Sequence, residues 1–120
     1  MINLLGHFGD KFMQFDVDEK SEHKTLFFSI RHILLEDYYL KETKKERITT
    51  YSDDNGGICH MRTMKHGIDI GFLKGIYMKD KYRLLTGSGK VMRILPVQEL
   101  DMTQVQYYLD QAITINASKK

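Results

Sequence analysis

The chain has 120 residues, 42% of them hydrophobic and 28% charged, with a formal net charge of +2. That length supports one core without metal or disulfide staples, and the single cysteine, Cys59, excludes an internal disulfide and makes a cytoplasmic location the expectation. Interleaved acids and bases exclude the clustered basic stripe of a nucleic-acid module, no apolar run reaches the roughly 18–20 residues of a membrane span, and the N-terminus lacks the pattern of a signal peptide.

The stretch up to Val17 is apolar but irregular. Leu4, Leu5, Phe8 and Phe12 have helical spacing, whereas Gly6 and Gly9 would each cost a helix about 1 kcal/mol relative to alanine. These apolar residues are expected to pack on the body or across a homodimer interface. Ser21 is a candidate N-cap, and Glu22 suits the first turn of a helix. Leu26, Phe27, Ile30, Ile33, Leu34 and Tyr38 then recur at helical spacing, which predicts a helix over 21–39.

The charged run 41–45 reads as a connection. Ile48, Thr49, Thr50 and Tyr51 suit an extended chain and predict a first strand over 46–52. Asp53-Asp54-Asn55-Gly56-Gly57 is a hairpin turn leading to a return strand over 58–64. After a turn at 65–67, Ile68, Ile70 and Phe72 alternate with Asp69 and Gly71, the pattern of a third strand with one buried face. From Gly75 to Gly89 no period holds, yet the stretch is too apolar to be a free loop. A fourth strand is predicted over 91–97, and Pro96, the only proline, places it at an edge or an end. Asp101 with Gln104 makes a capping box and Leu100 with Val105 a hydrophobic staple, opening a last helix striped by Val105, Tyr108, Leu109, Ala112 and Ile113. The expected fold is α+β: a single-domain, two-layer sandwich of about four antiparallel strands with N- and C-terminal helices packed on the sheet.

Two runs in the second half resemble a known family. Gly71-Phe72-Leu73-Lys74-Gly75, followed by Leu84-Leu85-Thr86-Gly87-Ser88-Gly89-Lys90-Val91-Met92-Arg93, is similar to the paired motifs of the YdhG-like family of uncharacterised bacterial domains. That family shows a glycine-phenylalanine-x-basic-glycine run, then a leucine-rich turn into glycine-x-glycine-lysine-x-x-arginine. Residues 46–51 also resemble its first strand. The resemblance covers about 25–115 and leaves an N-terminal extension over 1–20. It implies a frataxin-like sandwich and, as described for some members, iron chaperoning. Where the family often carries an aromatic-proline pair, this chain has Asp53-Asp54.

The candidate ligand-binding residues are Gly87, Ser88, Gly89, Lys90 and Arg93, with Lys74 as a third cation. Glycines let backbone N–H groups approach a ligand, while lysine and arginine add charge and a bidentate fork. On a regular strand Lys90 and Arg93 would face opposite ways, so they converge only if Lys90 belongs to the turn. The competing reading is a scaffold turn whose cations pair with Asp69, Asp80 or Glu99. It is not a nucleotide P-loop, because Leu84 and Val91 stand where that motif needs glycine and serine or threonine.

Other constellations carry less. Cys59 and His60 fall on opposite faces of a strand, and His66 adds no metal-ligand interval. Asp16, Asp18, Glu19, Glu22, Glu36 and Asp37 offer oxygen donors for iron, but Lys20, Lys24 and Arg31 interrupt them. Ser88 lacks a nucleophile elbow. The expectation is a non-enzymatic module that binds a small anion and carries no cofactor; the alternative is a frataxin-like iron chaperone or protein-interaction module.

Overall fold

The computed structural model describes residues 12–118. Two helical segments come first among the described residues, α1 (Gln14–Asp18) and α2 (Lys24–His32), and α2 runs on into a single π-helical turn (Ile33–Asp37). Five strands follow: β1 (Lys41–Lys44), β2 (Thr49–Asp53), β3 (Gly56–Met64), β4 (Gly67–Phe72) and β5 (Arg93–Val97). A 3-10 turn (Gly75–Tyr77) and a long loop separate β4 from β5, and α3 (Met102–Ala117) ends the fold. All neighbouring strands are antiparallel, in the order β1-β2-β3-β4-β5. This is the expected α+β arrangement with one strand more than predicted.

Alternation makes the sheet two-faced. Ile68, Ile70 and Phe72 of β4 are fully buried, as are their partners Met61 and Cys59 on β3 and Leu95 on β5. Against this face lie Phe27 and Ile30 from α2, Leu34 from the π-helical turn, and Val105, Tyr108 and Leu109 from α3. Each such side chain stabilises the fold by roughly 1.5–3 kcal/mol. Asp69 and Arg62 project to the other face, where the His60 ring covers Gly71 so closely that a Cβ there would stand 2.5 Å from it. Cys59 and His60 therefore face opposite ways, and burial pushes the Cys59 thiol up to about 12.

The strand that sequence patterning misses is β1, within the charged run. Its inward residue is Glu42, whose carboxylate accepts two bonds from Arg31, at 2.6 and 2.8 Å, and one from the Tyr51 hydroxyl at 2.8 Å. Burial opposes the charge, but Arg31 and Tyr51 outweigh it and hold the Glu42 carboxyl below its usual range. The first helix also starts later than predicted. The Ser21 hydroxyl accepts from the His23 amide at 2.9 Å and so caps a local turn rather than α2. The fourth strand begins at Arg93 rather than at position 91, and the connection before it bonds across β5: Thr86 and Ile94 exchange backbone bonds of 2.8 and 2.9 Å. Pro96 lies on that outermost strand, as the missing N–H requires.

At the N-terminus, Phe15 is in the core, with the Lys44 ammonium 3.8 Å from its ring centroid. Phe12, expected to pack, is 67% exposed; Leu4, Leu5 and Phe8 lie outside the described residues. At the other end the predicted cap is present, with the Asp101 carboxylate accepting from the Gln104 amide at 3.1 Å. No helix among the described residues is long and apolar enough to cross a membrane.

Candidate functional site

The glycine-rich run before β5 forms an exposed turn closed at its base by the Thr86–Ile94 bridge. Gly87 takes φ +107°, a conformation that disfavours any side chain. Arg93 then reaches back along the turn. Its Nη1 donates to the carbonyls of Gly89 and Met92, both at 2.6 Å, and so draws them toward one side. Among the described residues the guanidinium pairs with no acid. It fastens the turn.

The backbone under Arg93 is equally fixed. Gly75 lies so close that a Cβ on it would stand 2.5 Å from the Arg93 Cβ and 2.6 Å from its backbone nitrogen. The Ile76 amide donates to the Val91 carbonyl at 2.8 Å, tying the 3-10 turn to the same loop.

Among the six candidates, then, Gly87, Ser88, Gly89 and Lys90 share one exposed turn, and Arg93 braces it. Lys74 goes elsewhere. Its Nζ donates at 2.6 Å to Asn116 Oδ1, on the last turn of α3. The Lys90 ammonium makes no bond or ion pair among the described residues. Two of the three acids proposed as scaffold partners, Asp69 and Asp80, are engaged differently as well, and Glu99 makes no bond or ion pair among the described residues. Asp69 binds the His66 ring at 2.8 Å, and Asp80 accepts from the Leu84 and Leu85 amides and from the Tyr108 hydroxyl. Burial and this carboxylate both raise the Tyr108 hydroxyl's pKa. Asp80 thus shapes the start of the loop, and α3 carries the loop through Tyr108.

Sequence reasoning missed Asn116, the buried centre that fixes Lys74. Its amide nitrogen donates to the Asp53 carboxylate at 3.0 Å and to the Gly56 carbonyl at 3.2 Å. A signal existed: the apolar stripe of Val105, Leu109 and Ala112 continues to position 116, so a polar residue there sits at a core position.

The carboxylates considered for iron do not converge. Asp18 is fully buried and accepts from Thr63 through both its amide, at 2.9 Å, and its hydroxyl, at 2.7 Å; Asp16 accepts from the Met13 amide. Among the described residues no three histidine, cysteine, aspartate or glutamate side chains come together to hold a metal ion. Ser88 makes no hydrogen bond to a histidine among the described residues.

No family model, curated protein or solved structure matches this chain.

Proposed function

We propose that this chain is a non-enzymatic binding module that takes a small anion, such as a phosphate or carboxylate group, on the turn at residues 87–90. The observation that carries this reading is the bond from Arg93 to the Gly89 carbonyl. In a trans peptide the N–H points away from the C=O of the same unit. Holding the Gly89 carbonyl against the guanidinium therefore turns the Lys90 amide outward, beside the free Lys90 ammonium. The amides at 87–90 make no protein hydrogen bond among the described residues, which leaves them to water or to a ligand.

Gly89 supports the same reading. It does not have a positive φ, and a Cβ on it would meet nothing nearer than 3.9 Å. Neither conformation nor packing asks for glycine there, whereas close approach of a ligand to the backbone would. In this reading Lys90 and the turn amides are the binding groups and Arg93 is their positioning residue. The YdhG-like assignment belongs to the same proposal, supported by the work its motif residues do: Gly71 seats His60, Gly75 abuts Arg93, and Arg93 braces the turn.

Amide chemical-shift titration with inorganic phosphate tests the reading. The expected result is a saturable shift confined to Ser88, Gly89 and Lys90, weakened by salt and by Lys90→Met. Unmoved amides at 88–90 would remove the anion site.

A further inference from the structure

A concavity that shares no lining residue with this turn runs along the outward side of α2. It has a volume of about 960 Å3, with α2 and its flanks as one wall and Leu100 and Met102 at the start of α3 as the other. Phe28, Leu100 and Met102 expose 39%, 37% and 39% of their surface there, a concentration of large apolar groups that marks an interaction surface. Phe28 is well set as an anchor. Its ring packs edge-on against Phe15 and Phe27, which hold it in place while leaving part of it in solvent.

The charge pattern says what fits. One end of the groove carries Lys20 and Lys24 against Glu19, two ammonium groups to one carboxylate; the other carries Asp37 beside His32. The Lys20 and Lys24 ammonium groups make no ion pair among the described residues. The lining positions on α2 and its extension pair about the point midway between Phe28 and Ser29: Thr25 and His32 stand equally far on either side, then Lys24 and Ile33. Beyond them come Lys20, in the turn before α2, and Asp37, in the π-helical turn, with Glu19 unmatched. A two-fold axis through that midpoint, perpendicular to α2, would bring each α2 position opposite its mirror position on an antiparallel copy and set the cationic end of the groove beside the copy's Asp37 end. Lys20 would meet Asp37 twice, once at each end, with the two Phe28 rings side by side at the centre.

We propose that the occupant is a second copy of this chain, its α2 antiparallel to the first and its Phe28 lying toward the wall formed by Leu100 and Met102. Self-complementary patches of this kind are what an isologous dimer requires. A single exposed helix face is narrow beside the roughly 800 Å2 that a stable complex covers on each partner; Leu100 and Met102 add apolar surface to it.

The test exploits the symmetry, using the full chain. Sedimentation velocity over a concentration series should show a monomer–dimer equilibrium for the unaltered protein. Lys20→Asp alone and Asp37→Lys alone each set like charges against each other at both ends, and each should weaken dimerisation at least tenfold. Both positions are exposed, and thermal melts verify that each variant remains folded. Mixing the two variants pairs opposite charges at both ends and should restore dimerisation as a heterodimer, and the double variant alone should form a homodimer. A protein that stays monomeric throughout the series would overturn the proposal. So would a dimer indifferent to either reversal, since it would have to form through another face, and so would single variants that dissociate but do not recover on mixing.

Discussion

Two glycine-bearing turns, alike in sequence, are held in opposite ways. The hairpin between β2 and β3 is fastened from several sides. Asp53 Oδ1 accepts from the Asn55 amide at 2.8 Å and from Asn116, which also binds the Gly56 carbonyl. Gly56 takes φ +118°, so the fold itself accounts for that glycine, and a Cβ on Gly57 would stand 2.5 Å from the movable Leu73 Cδ1. The turn at 87–90 is braced by Arg93 through the Gly89 carbonyl, and its amides make no hydrogen bond among the described residues. There only Gly87 is accounted for by the fold. What a glycine is for depends on its surroundings: the first turn is a joint, while the second presents its backbone to solvent.

The strongest break in that contrast should come from beneath the second turn. A methyl group at position 75 meets backbone rather than a movable side-chain end. Gly75→Ala should therefore cost about 3 kcal/mol in urea denaturation and take anion binding with it, because Arg93 must shift. A variant of unaltered stability would mean that the 3-10 turn is not packed on β5 as described. Next comes the joint. Asn116→Ala leaves the Lys74 ammonium and the Asp53 carboxylate without their shared partner and should cost about 2 kcal/mol. Phosphate-induced shifts at 88–90 should survive it. Lys74→Met removes one bond of that network and should cost about 1 kcal/mol, again with the phosphate response intact. A lost response would return Lys74 to the anion site.

Those two outcomes turn on a network that sequence patterning could only half reveal. The hairpin at 53–57, the alternation of β4, the apolar stripes of both helices and the Asp101 cap follow from period, turn chemistry and capping, all of which are local. β1 does not. Its one inward side chain is a glutamate made tolerable by Arg31, eleven positions earlier, and Tyr51, nine later. A strand at the sheet's edge needs no apolar alternation, and its lysines discourage further pairing. The cations divide the same way. Residue types placed an anion-like motif at 87–93, but only the fold sends Lys74 to α3 and turns Arg93 onto its own loop's carbonyls. Spacing along a chain cannot tell a cation that faces a ligand from one that braces a turn.

The smallest expected effect on stability is the most informative one. Gly89→Ala places a methyl group in open space on an ordinary backbone conformation. Its stability should stay within about 0.5 kcal/mol of the unaltered protein, or rise by roughly 0.4–1 kcal/mol, because alanine restricts the unfolded chain more than glycine does. If the turn is only a connection, nothing else should change. If it is a binding surface, the methyl group stands where an anion must approach the Gly89 and Lys90 amides, and phosphate affinity should fall several-fold in a protein that is no less stable. Calorimetric titration and a thermal melt on this one variant separate the two cases. Stability and affinity both retained would leave Gly89 without a role in binding and would move the site to the lysine side chain alone.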